Sequence, residues 1–297
     1  MVVPAIPFLM DSWLMIDLSR LCIHTITNKP WDFQRCVQEY VQHGIGGISI
    51  WQHAVEQTGA AMVAKTLHDA PIQVVSYVRG GFFPSTQAED RQKSIDKNKR
   101  LLNEAAEIGA PLLVLVCGAE PRQSLDLSRR QISEGLEAIL PHARANGVKL
   151  AIEPLHPMYA DTRSAINTLA QANDLAQRFA DPYLGVALDV YHCWWDEHLF
   201  AEITRCATHD HLFAYHLCDW KSPTLDLLND RGLMGEGCIP LADISCHVRD
   251  SGFTGFWEVE IFSDRYWAMD QREFLRNIIK AYQNLMTACH NNQKSSG

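Results

Sequence analysis

Glu153, Asp189, His216 and Glu260 each stand at or near the end of a short apolar run. The runs are Leu150-Ala151-Ile152-Glu153-Pro154, Val186-Ala187-Leu188-Asp189-Val190, Phe213-Ala214-Tyr215-His216-Leu217 and Trp257-Glu258-Val259-Glu260-Ile261. Three carboxylates and one imidazole suit a hard or borderline divalent cation such as Mn²⁺, Mg²⁺ or Co²⁺. The four residues are 36, 27 and 44 positions apart. A strand-plus-helix unit takes about 30 residues or more, so the spacing predicts one ligand on each of four successive units of a repeating β/α fold. One acidic residue at a strand end is usually a helix cap or a solvated loop residue. Four complementary ligands in consecutive units point instead to a metal centre.

The elements that must position these residues are readable as alternating patterns. Apolar, β-branched runs predict strands over 21–26, 47–51, 73–78, 112–117, 149–153, 184–190, 213–217 and 256–262. Amphipathic stretches predict helices over 32–43, 60–69, 89–108, 127–146, 164–179, 197–208, 241–250 and 271–287. Strict alternation of eight strands with eight helices predicts an α/β fold, a single (β/α)8 TIM barrel. Gly44, Gly147 and the Asp181-Pro182 pair mark helix ends, and Gly252 precedes the last strand. No linker or charge run divides the chain, so one domain is expected over 1–297, with an N-terminal extension at 1–18 and a frayed tail at 291–297. The stretch 218–240 is the one irregular segment of unusual length, and such loops are usually functional.

Side chains alternate along a strand, so Glu153 shares a face with Ala151, Asp189 with Ala187, and His216 with Ala214. Each ligand candidate comes last on its face, at the C-terminal end where barrels of this kind build active sites. The alanines beneath leave room for the ligands to lean inward. By the same parity Glu258 faces inward one layer below Glu260. A charge there is costly unless paired, and the sequence names no partner for it.

The formal net charge of −9 disfavours nucleic acid and anionic membranes as partners, since both need a basic footprint. A hydrophobic share of 47% fills a large core, and no apolar run approaches the ~20 residues of a membrane span. Nine scattered cysteines without a C-x-x-C pair, and a start without a basic region ahead of an apolar core, predict reduced thiols and a cytoplasmic protein. A homo-oligomer or a partner subunit is left open.

Several longer motifs carry a resemblance. They are Glu153-Pro154-Leu155, Asp189-Val190-Tyr191-His192, His216-Leu217-Cys218-Asp219, Asp230-Arg231 followed by Gly235-Glu236-Gly237, and Gly252-Phe253-Thr254-Gly255 leading to Glu260-Ile261-Phe262. Over nearly its whole length the chain resembles the sugar phosphate isomerase/epimerase superfamily of xylose isomerase-like TIM barrels, and within it the inosose isomerases and ketose 3-epimerases. The resemblance implies that Glu153, Asp189, His216 and Glu260 bind Mn²⁺ or a similar ion, with Mg²⁺, Co²⁺ and Zn²⁺ as alternatives. It also implies substrate-binding roles for His192 and Arg231, and a small sugar or cyclitol as the substrate.

The expected chemistry is proton transfer beside a carbonyl, passing through a metal-stabilised enediolate. Glu153 and Glu260, from strands five and eight, are the expected acid/base pair. Asp219 is expected to orient His216 or to touch substrate. His24, Gln52 and His156 are expected to bond hydroxyls at the mouth, which Trp51, Arg79 and Phe83 also face. No glycine-rich phosphate loop is present, and Arg231 alone is thin ground for a phosphorylated substrate. Two other enzyme readings use much of the same constellation. A lyase would abstract the same proton and then eliminate a β-substituent, as in a dehydratase or a 3-keto-glycoside cleaving enzyme. An endonuclease IV-like enzyme would need a D-x-H run where this chain reads Asp230-Arg231-Gly232. A non-catalytic sugar-binding subunit would have no need of the complete ligand set.

Overall fold

The computed structural model describes residues 17–295. Eight parallel strands close into a barrel: β1 (Leu21–His24), β2 (Gly47–Trp51), β3 (Gln73–Gly81), β4 (Leu112–Val116), β5 (Lys149–Glu153), β6 (Leu184–Asp189), β7 (Leu212–Leu217) and, after a two-stranded hairpin, β10 (Trp257–Val259). β10 pairs with β7 on one side and with β1 on the other. The hairpin strands, β8 (Asp219–Trp220) and β9 (Arg231–Gly232), are antiparallel and rise from the irregular segment after β7.

A parallel strand covered on both faces reads as a continuous apolar run, and β4, Leu-Leu-Val-Leu-Val, is buried at every position. One face packs outward against the helices in the main core. The other fills the lumen with Val78, Leu112, Val114, Ala151, Ala187 and Ala214. The three alanines therefore lie beneath the ligand candidates, as parity predicts. Parallel register sets Asp189 beside His216, and His216 beside Glu258.

Some boundaries differ from the sequence reading, for local reasons. β3 continues to Gly81 because Gly80-Gly81 lets it shift register against β4. At Gly81 φ is +100°, and a Cβ would stand 2.0 Å from the Val116 carbonyl oxygen, so only glycine fits. The helix expected from 164 begins at Leu169, capped by Thr168, because Ser164 instead bridges to Gly118. Short helices at Gln52–Thr58, Val190–Cys193 and Asp264–Trp267 were not anticipated. β10 ends at Val259, one residue before Glu260, although the Glu260 N–H still donates to the Leu217 carbonyl at 3.1 Å. The last helix, Gln271–Ser295, outruns its expected end at Thr287. Nearly all of the expected 1–18 extension and the last two residues of the expected tail lie outside the described residues. No helix among the described residues is long and apolar enough to cross a membrane.

Candidate active site at the mouth of the barrel

Glu153, Asp189, His216 and Glu260 converge at the C-terminal end of the barrel. All four are buried, and one ligand atom from each lies within 4.8 Å of the others. Glu153 Oε1 and His216 Nδ1 stand 3.0 Å apart, an ion pair when the imidazole is protonated, and neither has a hydrogen-bond partner beyond that contact. Two donors about 2.1 Å from one ion, at right angles, are about 3 Å apart. Buried polar atoms with so few partners are rare, and the spacing of these two fits neighbouring ligands of one ion.

The charge around them also fits a divalent ion. Glu153, Asp189, Glu258 and Glu260 are buried together, against Arg231 and the two imidazoles of His24 and His216. Four carboxylates thus face one fixed cation, Arg231, and two imidazoles, an excess of negative charge that a divalent ion would offset. Without such an ion, burial works against a charged His216, but the carboxylates of Glu153, Glu258 and Glu260 outweigh it and push its pKa up to about 10.

Glu258 has the partners that the sequence did not supply. Its Oε2 accepts from Ser49 Oγ at 2.7 Å and from Ser76 Oγ at 3.4 Å, and lies 3.1 Å from His24 Nε2 and 3.9 Å from His216 Nε2. His24 was expected to bond a substrate hydroxyl. It is fully buried, with Nδ1 3.0 Å from Glu260 Oε1 and Nε2 3.1 Å from Glu258 Oε2. Burial opposes its charge, but Glu260 and Glu258 prevail and raise its pKa. Ser49 and Ser76 were missed. Their signal was a lone hydroxyl inside each of two apolar runs, Gly-Ile-Ser-Ile-Trp and Val-Val-Ser-Tyr-Val.

Arg231 is not a loop cation open to solvent. Its Nη1 donates to Asp189 Oδ2 at 2.9 Å, to Glu260 Oε2 at 3.0 Å and to the Glu260 carbonyl at 3.2 Å, while the guanidinium lies against Tyr191 and Phe262. A fixed cation thus stands between Asp189 and Glu260, in the Asp230-Arg231-Gly232 run that lacks the D-x-H pattern. His192 Nε2 lies 3.3 Å from Arg231 Nη2. Burial, with Arg231 beside it, lowers the His192 pKa well below its usual value and keeps the ring neutral. With Nε2 accepting from Arg231, the proton sits on Nδ1, a buried atom without a partner.

The remaining expected contacts divide. Asp219 makes no hydrogen bond to His216. It is buried and accepts from the backbone N–H groups of Trp220, Gly235, Gly237 and Ile239, which organises the segment after β7. Gln52 donates to the Arg79 carbonyl at 2.6 Å. His156 is half-buried between Trp195 and Trp220, its Nδ1 accepting from the Met158 N–H, and burial lowers its pKa. Tyr159 and Tyr191 both donate to the Leu227 carbonyl, at 2.8 and 3.0 Å, and hold the hairpin loop over the site.

A family model described as a xylose isomerase-like TIM barrel matches residues 37–278. An inosose isomerase of Bacillus licheniformis is 24% identical over 200 residues, which cover 66% of this chain and 69% of that protein. A Sinorhizobium meliloti 1021 protein of known crystal structure is 42% identical with a TM-score of 0.88, over 90% of this chain and 98% of that one. The crystal structure of the IolI protein with a bound zinc atom superposes with a TM-score of 0.78 at 19% identity, over 90% of this chain and 97% of that one. The matched span holds all four converging ligand candidates and seven of the eight barrel strands, and the chain belongs to the xylose isomerase-like TIM barrel family.

Proposed function

We propose that this protein is a divalent-metal-dependent isomerase or epimerase of a keto-sugar or keto-inositol, with Glu153, Asp189, His216 and Glu260 holding the ion. The observation that carries this reading is the buried convergence of those four residues, with Glu153 Oε1 and His216 Nδ1 3.0 Å apart and neither atom partnered elsewhere. The inosose isomerase relatives and the zinc-bound structural neighbour support it. Mn²⁺ is the ion favoured by the carboxylate-rich set.

When bound, the ion supplies Lewis-acid stabilisation of the negative charge that develops on a substrate oxygen. Glu153 and Glu260 close the two ends of the β5-β6-β7-β10 arc, so they face the enclosed space from opposite sides. They are the carboxylates assigned to remove and return the proton. Burial alone would favour a protonated Glu260, but His24 and Arg231 outweigh it and hold its carboxyl far below the usual range. Glu153 Oε1 stands 3.0 Å from His216 Nδ1 and converges with the Asp189 and Glu260 carboxylates. The His192 Nδ1 proton is free to bond a substrate oxygen, with Arg231 fixing the ring from its far side.

The test is solvent deuterium exchange into a panel of ketoses, inososes and 3-keto-glycosides, using Mn²⁺-loaded protein. Exchange without eliminated product is expected, falling at least about a thousandfold in Glu153→Gln and in Glu260→Gln, more than the ~10²–10⁴ range typical of one acid/base group at its low end. Full exchange in either variant rejects the acid/base assignment, and accumulation of an elimination product replaces isomerisation with a lyase reaction.

A further inference from the structure

Two arginines at the mouth of the barrel are not used by the chemistry above. Arg79 follows the lumen residue Val78 near the C-terminal end of β3, half-buried, with its guanidinium 5.6 Å from the Trp51 ring centre and 5.1 Å from that of Phe82. Arg163 lies in the segment after β5, also half-buried, 5.1 Å from the Tyr159 ring centre. The two segments are stitched together at Gly118. The Ser164 segment bridges to Gly118, the Ala165 N–H donates to the Gly118 carbonyl, and a Cβ on Gly118 would meet Phe82 Cα at 2.7 Å.

Both guanidiniums flank the candidate site. The Trp51 ring under Arg79 has its Nε1 3.2 Å from His24 Nδ1, and His24 in turn touches Glu260. The Tyr159 ring under Arg163 packs edge-on against His192. Elsewhere the chain pairs such cations: Arg231 with Asp189 and Glu260, Arg144 with Asp181, Arg205 with Asp174 and Glu202, Arg272 with Glu39. Among the described residues no carboxylate forms an ion pair with Arg79 or Arg163. Burial, and then the charge of Arg163, lowers the Arg79 pKa, while Glu153 and Glu260 partly restore it. Through Gly118, the Phe82 and Ser164 contacts set Arg79 and Arg163 on adjoining segments at the same end of the barrel. An arginine stacked on an aromatic face keeps its N–H edge free for a planar or tetrahedral anion. Two half-buried cations without a carboxylate partner carry a desolvation cost, and an anion bound by both offsets it.

The geometry points to an anionic substrate: a keto-sugar or keto-polyol bearing a phosphate or carboxylate, whose anionic end lies between Arg79 and Arg163 while its carbonyl end meets the Glu153, Asp189, His216 and Glu260 cluster. This substrate class rests on the proton-transfer reading of the site, but the anion site itself does not.

The experiment therefore has a binding arm and a turnover arm. In the first, inorganic phosphate is titrated calorimetrically into Mn²⁺-loaded protein. One site is expected, weakened at least tenfold in Arg79→Gln and in Arg163→Gln and partly rescued in Arg79→Lys, with melting curves confirming that the variants fold. No phosphate binding, or binding unaffected by either variant, overturns the anion site. In the second, deuterium exchange is compared within the pairs D-fructose and D-fructose 6-phosphate, and D-ribulose and D-ribulose 5-phosphate, with 5-keto-D-gluconate as the carboxylate probe. The charged members are expected to exchange with at least tenfold higher kcat/KM, and that ratio falls at least tenfold in either glutamine variant. Preference for the phosphorylated sugars or for the keto acid identifies the anion. Preference for the neutral members overturns the substrate class. Phosphate binding as expected, with no exchange in any sugar, overturns the proton-transfer reading and leaves the anion site standing.

Discussion

At the scale of single residues, the convergence of the four ligand candidates was legible because they lie at strand ends and alternation fixes which side chains share a face. The partners of Glu258 were not read, because they come from Ser49 and His24, 209 and 234 residues away. Alternation says that a residue faces the lumen but not which neighbour it meets. Barrel closure does say it: the last strand must lie beside the first, and the register pairs Cys22 with Glu258. Glu258 sits under both imidazoles, so its charge holds His24 and faces His216 Nε2. A carboxylate behind a metal-bound imidazole typically contributes about 10–100-fold in affinity. Glu258→Gln is expected to weaken Mn²⁺ by about that factor, measured by titration of free Mn²⁺ in an electron paramagnetic resonance assay. Unchanged affinity would remove Glu258 from the site. Proton linkage supplies a second test. His216, pushed up to about 10, is protonated in the metal-free protein at neutral pH and must lose that proton to become a ligand. Metal affinity should therefore rise with pH, by about tenfold per unit between pH 6 and 8, with about one proton released per ion. Calorimetry in buffers of different ionisation enthalpy counts that proton, and a count of zero contradicts His216 as a ligand.

At the scale of elements, the eight apolar runs announced the eight barrel strands, since a strand buried on both faces has few other ways to read. The connections were less legible. The segment after β7 was correctly singled out by its length, but its hairpin depends on Asp219 accepting from Gly235, Gly237 and Ile239, contacts with no periodic signature. The Asp181-Pro182 pair was read only as a helix stop. It is also a latch. Asp181 accepts from Arg144 Nε at 2.8 Å and from the Tyr183 N–H at 2.9 Å, joining the end of the helix Leu125–Asn146 to the start of β6. Arg144 chiefly, against slight burial and with the help of the Tyr183 N–H, holds the Asp181 carboxyl below its usual value. A carboxyl with a depressed folded pKa contributes stability above its unfolded value of about 3.9, and that contribution is lost as pH falls through the folded value. Asp181→Asn is thus expected to lower the urea midpoint at pH 7 by a small amount, since Arg144 is half-exposed and screened. The difference between the two proteins should shrink as the pH is lowered below the unfolded value. A difference of the same size at neutral and at acid pH would mean that the loss is one of packing or hydrogen bonding rather than of the charged latch.

At the scale of the molecule, the mouth of the barrel concentrates a charge problem that the rest of the fold avoids. Four carboxylates are buried around Arg231, His24 and His216 in a chain whose formal net charge is already −9. Buried unpaired charge is among the costliest features that a fold can carry. The unfolded chain disperses these groups into water, so it offers no comparable binding site, and an ion that binds the folded protein alone stabilises it by mass action. At a free concentration 100 times its dissociation constant the gain is about 2.7 kcal/mol, and at 1,000 times about 4.1 kcal/mol. For domains of about 150–250 residues, each kcal/mol moves the melting temperature by about 2–4 °C, so a chelator should lower Tm by several degrees, on the order of 5–10 °C. Readdition of Mn²⁺ should restore it, with Tm climbing steadily with the logarithm of metal concentration. His216→Ala and Glu153→Gln should flatten that climb, because each removes a ligand, while Asp181→Asn should shift the whole curve without changing its slope. A chelated protein that melts at the same temperature as the Mn²⁺-loaded one would mean that the cluster is balanced by its own protons, and the metal-dependent reading would fall with it.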